Sequence, residues 1–116
     1  MAQLSAVTDQ NFEAEVVQSK LPVLVDFWAA WCRPCQLLGP VLEEVAAEHA
    51  SVLRIVKMDV ESNTVVPGKH SIRGIPAMVL YQDGKIIATK TGFMPKNKVL
   101  EFLEGHLNLS QVTDKK

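Results

Sequence analysis

Apolar and polar positions follow two periods along this chain, and stretches with the two periods alternate. A period of two or an unbroken apolar run predicts a strand, and such runs cover 4–7, 21–29, 51–58, 78–81 and 85–88. A period near 3.6 predicts a helix, and it covers a segment capped by Thr8 or Asp9, 32–49, a short helix interrupted near Pro67-Gly68, and 95–107. The order β-α-β-α-β-α-β-β-α predicts a mixed sheet with helices on both faces, with parallel crossovers first and an antiparallel hairpin last.

The segment 21–29 is the candidate for the central strand, because both of its alternating faces are largely apolar. These faces consist of Val23, Val25 and Phe27 on one side and Leu24, Asp26 and Trp28 on the other. Burial disfavours a charged carboxylate, so we expect Asp26 to have a raised pKa and to take up a proton near neutral pH. The alternative is an edge carboxylate with an ordinary pKa.

Apolar stripes on the helical segments predict which side chains enter the core. On 32–49 the stripe is Leu37, Leu38, Val41, Leu42, Val45 and Ala46. On the last helix it is Val99, Leu100, Leu103 and Leu107. Pro40 predicts a kink within the longer helix, and Asp83-Gly84 between two apolar runs predicts a hairpin turn.

The length of 116 residues predicts one domain, which we place at 1–107, followed by a polar tail at 108–116. The formal net charge is −1 and charges of both signs are interspersed, which argues against nucleic acid or an anionic membrane as a partner. No apolar window is long enough for a membrane span, and the first residues lack the features of a secretory signal. We therefore expect a cytoplasmic protein, or one in an organelle stroma or matrix if a transit peptide has been removed.

The two cysteines of the chain, Cys32 and Cys35, stand three positions apart in "FWAAWCRPCQLLGP". A disulfide that closes so short a loop restricts the unfolded chain little, so a purely structural bridge is the weaker interpretation. A zinc site needs two more ligands, and His49, His70 and His106 are too scattered to supply them. Thiol redox chemistry is the favoured interpretation, and we expect no bound metal.

The predicted helix start gives the two cysteines different roles. Free N–H groups and the helix dipole favour a thiolate at Cys32, which makes it the nucleophile. Cys35 lies one turn further in, on the same face, where we expect it to be more buried and able to resolve a mixed disulfide. Pro34 suits the first turn, where its missing N–H would be unpaired in any case.

The motifs "VDFWAAWCRPC", "IRGIPA", "YQDGK" and "TGF" together resemble the thioredoxin family over about residues 4–107. The resemblance implies an α/β thioredoxin fold in which four helices flank a mixed five-stranded sheet. It also implies a cis peptide at Ile75-Pro76 facing the dithiol. It further implies a groove that binds the substrate. The residues of this chain at the groove positions are Trp31, Arg33, Pro34, Ile75, Pro76, Gly92 and Phe93.

The resemblance assigns Asp26 as proton acceptor and donor for Cys35, with Lys57 beside it opposing part of its raised pKa. Arg33 and Phe93 depart from the family pattern, which commonly has Gly and a small residue there. A charge at Arg33 is expected to favour the Cys32 thiolate and a less reducing potential. Phe93 is expected to enlarge the apolar rim of the groove.

These features together imply a protein disulfide reductase that works by dithiol–disulfide exchange at Cys32 and Cys35. The partners implied are disulfide-containing proteins and a thioredoxin reductase, either NADPH-linked or ferredoxin-linked. We expect a monomer with no bound cofactor. The alternatives are an oxidant or isomerase, and a redox-inactive or chaperone-like binding subunit that uses the same groove.

Overall fold

The computed structural model describes residues 4–109. Its strands are β1 (Ser5–Ala6), β2 (Val23–Trp28), β3 (Arg54–Asp59), β4 (Ala77–Gln82) and β5 (Lys85–Thr91). Its helices are a π-helix (Glu13–Val17), α1 (Arg33–Glu48), α2 (Val65–Lys69) and α3 (Lys96–Glu104). The predicted order of elements is confirmed.

The five strands form one mixed sheet in the order β1-β3-β2-β4-β5. Strand β2 is central, parallel to β3 on one side and antiparallel to β4 on the other. The register places Asp26 opposite Lys57 in β3 and opposite Met78 in β4. Every residue from Val23 to Phe27 is buried, which confirms a strand covered on both faces.

The two large clusters of buried side chains draw on alternate residues of β2. One cluster joins Leu24 to the buried stripes of α1 and α3, including Leu42 and Leu103. The other joins Val23, Val25 and Phe27 to the π-helix and α2. Leu109, within the segment predicted as a tail, is buried in the first cluster; residues 110–116 lie outside the described residues.

The predicted hairpin turn is confirmed between β4 and β5. Asp83 and Gly84 both have positive φ, at 54° and 78°, as a two-residue hairpin turn of this hand requires. A Cβ on Gly84 would also lie 3.0 Å from the Val17 carbonyl oxygen. The turn therefore needs glycine for its backbone and for its approach to the π-helix.

Of the two predicted cap residues, Thr8 caps the turn that leads into the first helix and Asp9 does not. The Thr8 Oγ1 accepts from the Asn11 N–H over 3.2 Å and the Asn11 Oδ1 accepts from the Thr8 N–H over 2.7 Å, ahead of the π-helix that begins at Glu13. The Asp9 carboxylate instead accepts hydrogen bonds from the backbone N–H groups of Val65 and Val66, at 3.1 and 2.9 Å. These N–H groups have no intrahelical partner, so Asp9 caps α2 from a distant part of the chain and its pKa is lowered.

Three further expectations are wrong in detail. Leu37 was predicted on the buried face of α1 but is 51% exposed. The buried face of this helix consists of residues such as Leu38, Leu42 and Val45, and Leu37 lies outside it. Pro67-Gly68 does not interrupt α2, because the proline falls in the first turn, where its missing N–H costs no hydrogen bond. Strand β3 begins at Arg54 because residues 51 and 52 form a turn after α1.

Candidate active site

The site lies where the chain leaves the central strand β2 and enters α1. Cys32 is the N-cap of α1, with extended backbone angles of φ −89° and ψ 108°. The backbone N–H of Cys35 donates to the Cys32 sulfur over 3.2 Å, and Pro34 occupies the first turn. The sulfur of Cys32 therefore accepts from one of the free N–H groups of the helix start, where these groups stabilise negative charge.

Cys32 and Cys35 are joined as a disulfide, with their Cα atoms 5.2 Å apart. The prediction that Cys35 is the more buried of the two is wrong, since each residue is only 4% exposed. The reason is that both side chains pack in one small cluster with Ala29, Trp28, Val60 and Ile75.

The two sulfurs differ in their neighbours instead. The Cys32 sulfur lies 3.8 Å from the carbonyl oxygen of Ile75, in the loop that precedes β4. Cys35 lines a cavity of about 240 Å³ on the other side, together with Asp26 and Lys57. One cysteine therefore adjoins the loop at the groove and the other adjoins the buried carboxyl group.

Asp26 is 2% exposed, and its Oδ1 has no hydrogen-bond partner among the described residues. Burial raises the pKa of Asp26 from 3.8 to about 7, and the positive charge of Lys57 opposes part of this rise. The Lys57 ammonium lies 5.3 Å from the centre of the Trp28 ring, in a cation–π contact. The expected raised pKa of Asp26 is confirmed.

The loop opposite the dithiol contains the predicted cis peptide between Ile75 and Pro76. The Gly92 N–H donates to the Pro76 carbonyl oxygen over 2.7 Å and so ties the end of β5 to this loop. Gly92 has a φ of 100°, and no atom lies within 4 Å of where its Cβ would be. Phe93 follows it with 44% of its surface exposed.

Trp31, directly before Cys32, is 69% exposed. Its indole N–H donates to the Glu61 carboxylate over 3.0 Å, so an exposed ring is held in one orientation. Glu61 was not predicted, because nothing in the sequence pairs it with a residue thirty positions earlier. Gln36, in the first turn of α1, was not predicted either; its side-chain amide donates to the Ala30 carbonyl oxygen over 2.7 Å and braces the loop before Cys32.

A disulfide between two cysteines at a helix start, beside a buried carboxyl group with a raised pKa, defines the site of a thiol–disulfide oxidoreductase. The thioredoxin family profile matches residues 3–105. The chain belongs to the thioredoxin family.

Named relatives match most of the chain. It is 40% identical to the thioredoxin of Haemophilus influenzae over 107 residues, which cover 92% of this chain and 100% of the relative. It is 46% identical to the thioredoxin of Acidithiobacillus ferridurans over 87% of this chain and 94% of the relative. It is 42% identical to that of Pseudomonas aeruginosa over 87% and 94%.

The family and the cysteine pair together make the protein a protein disulfide reductase, and they confirm the expected thioredoxin fold. Membership of the family implies disulfide-containing targets and reduction by a thioredoxin reductase. No helix among residues 4–109 is long and apolar enough to cross a membrane. No group of three or more potential metal ligands occurs in that range either.

Proposed function

We propose that Cys32 is the attacking cysteine and Cys35 the resolving cysteine in the reduction of target proteins. The Cys32 thiolate attacks one sulfur of the target disulfide, whose S–S bond breaks, and the other target sulfur leaves as a thiolate and takes up a proton. The Cys35 sulfur then attacks the Cys32 sulfur and releases the second target sulfur. The target gains two electrons, and the two protein thiols lose two electrons to become the disulfide.

Asp26 is the proposed proton acceptor for Cys35 in the second attack, directly or through a water molecule. A thiol must lose its proton to become a nucleophile, and a carboxyl group with a pKa of about 7 can accept it near neutral pH. Lys57 is the residue that tunes Asp26, because its charge favours the carboxylate. In the reverse reaction the protonated Asp26 returns the proton.

The observation that carries these assignments is the division of the two cysteines between two environments. Cys35 shares a cavity with Asp26 and Lys57, whereas the Cys32 sulfur adjoins Ile75 and the cis-proline loop. The groove around Cys32 is proposed to hold an extended segment of the target, with contacts from Trp31, Arg33, Pro34, Ile75, Pro76, Gly92 and Phe93.

Two cysteine variants test the assignment. Cys35→Ser should retain the attack and accumulate a mixed disulfide with a disulfide-containing target such as insulin. Cys32→Ser should form no such adduct and should lose dithiothreitol-driven insulin reduction. Adducts that form through Cys35 in the Cys32→Ser variant would reverse the roles. A wild-type protein that binds insulin but does not reduce it would leave only the binding-subunit alternative.

The finer features of the redox cycle are also proposals. We propose a cytoplasmic monomer, or one in an organelle if a transit peptide has been removed, that works without a bound cofactor. An NADPH-linked or a ferredoxin-linked reductase restores the dithiol. Purified reductases of both kinds, assayed with the oxidised protein, would distinguish them, and light scattering would give the oligomeric state.

A further inference from the structure

Two aromatic rings stay exposed on either side of the dithiol. Trp31 precedes Cys32 and is 69% exposed, while Phe93 follows Gly92 and is 44% exposed. Glu61 holds the indole of Trp31, and the hydrogen bond from Gly92 to Pro76 holds the backbone next to Phe93. Covering exposed apolar surface next to a reactive sulfur with a substrate side chain makes binding more favourable.

The surface between these rings has room for a passing chain. The space above Gly92 contains no atom within 4 Å of the position of a Cβ. Ile75 is partly exposed, and its carbonyl oxygen faces the Cys32 sulfur. An extended segment that brings a disulfide to Cys32 therefore passes over glycine, with its neighbouring side chains next to Phe93.

The charged side chains near the dithiol differ in whether they have hydrogen-bond partners. Asp59 accepts hydrogen bonds from the backbone of Glu61 and from Ser62, and Glu61 accepts from Trp31. Arg33 and Arg73 are exposed, and neither side chain forms a hydrogen bond or ion pair with any residue of the described range 4–109. Asp59 and Glu61 keep their negative charges because their donors are neutral, whereas the guanidinium groups of Arg33 and Arg73 are free to pair with a carboxylate of a target.

From these observations we infer that the preferred targets present their disulfide in an extended segment with a large apolar side chain and an acidic side chain near the attacked cysteine. Phe93 selects for the apolar side chain by covering it. Arg33 and Arg73 select for the acidic one by charge attraction. This inference rests on the proposed function, because it names the substrate class of the same site.

The test uses four synthetic peptides, each with one internal disulfide, that differ at two positions next to the cysteines: phenylalanine or serine at one, glutamate or lysine at the other. Fully reduced protein is mixed with peptide, acid stops the reaction, and chromatography gives the second-order rate constant of a single turnover. We expect the peptide with phenylalanine and glutamate to react fastest, with about a tenfold preference for phenylalanine over serine.

Matched variants separate the two contributions. Phe93→Ala should remove most of the preference for phenylalanine, whereas Ile86→Ala, a 49% exposed residue that lines a different cavity, should keep it. Arg33→Gln with Arg73→Gln should remove the preference for glutamate, and Lys69→Gln with Lys85→Gln should keep it. In the wild type the preference for glutamate should fall as salt is raised, because exposed charges are screened.

The outcomes distinguish the inference from the function on which it rests. Equal rate constants for the four peptides, or preferences that survive in the site variants, overturn the inference while the reductase mechanism stands. If no peptide is reduced at all, the proposed function fails, and the inference fails with it.

Discussion

The stability of the oxidised protein should fall as the pH rises, because Asp26 is buried where its charged form is disfavoured. Its pKa is about 7 in the folded protein against an ordinary value of 3.8. The folded state therefore holds a proton that the unfolded chain has already lost between these two pH values. The stabilisation is complete below pH 3.8 and is lost as the pH rises through about 7.

The size of the effect follows from the difference between the two pKa values, which is about 3. At about 1.36 kcal/mol for each pKa unit, the wild type should lose up to about 4 kcal/mol of unfolding free energy between pH 4 and pH 8. Asp26→Asn has the same shape and cannot ionise, so this loss should be absent. Its unpaired buried amide costs about 1–3 kcal/mol at every pH, which makes the slope with pH the quantity to compare.

Urea unfolding of the oxidised proteins at several pH values measures the slope directly, since cysteines in a disulfide do not titrate. Glu104→Gln, a change at an exposed position of α3, serves as a control and should follow the wild type. Parallel curves for the wild type and Asp26→Asn would show that the carboxyl group is not desolvated, and the argument for Asp26 as proton acceptor would lose its physical basis.

Three further outcomes follow from the structure. Arg33→Gly should lower the reduction potential of the cysteine pair by roughly 10–20 mV, because a positive charge no longer favours the Cys32 thiolate. Equilibration with a dithiothreitol redox buffer measures the potential. An unchanged or higher potential in the variant contradicts the prediction. Burial lowers the pKa of His70 below 6.5, so the contribution of the neutral His70 to stability is complete above pH 6.5 and is lost as the pH falls. Urea unfolding should show a smaller loss of stability at low pH in His70→Phe than in the wild type. An equal loss in both proteins would refute this. Leu42→Ala should cost about 3 kcal/mol of unfolding free energy and the exposed Leu37→Ala less than about 1; similar costs in denaturant unfolding would contradict the assigned α1 core face.

The sequence predicted the features that depend on local pattern. The two apolar faces of β2 identified the central strand, and the lone carboxylate on one of them identified Asp26 before its surroundings were known. The Asp83-Gly84 pair predicted its turn because only that backbone geometry joins two adjacent strands in two residues. The spacing of Cys32 and Cys35, at the start of a segment with a helical apolar stripe, predicted thiol redox chemistry at a helix N-terminus.

The features that the sequence could not predict depend on contacts between distant segments. Asp9 has the character of a local cap, yet it caps α2 more than fifty residues away. His70 lies half-buried among the rings of Phe12, Phe27 and Tyr81, which lie in other segments of the chain. The two cysteines are equally buried in part because Val60 packs against them, and no sequence pattern connects Val60 to the dithiol.

The burial of both sulfurs in the oxidised protein affects how its electrons are replaced. With each cysteine only 4% exposed, the sulfur surface that an attacking thiol can reach is small, so an unbound thiol must be present at high concentration to reduce the disulfide, as dithiothreitol is in the insulin assay. A protein donor that binds the groove brings its own thiolate against Cys32 and raises the effective concentration of that thiolate there. At equal concentration, a thiol protein that fits the groove should therefore reduce the disulfide faster than a small thiol does.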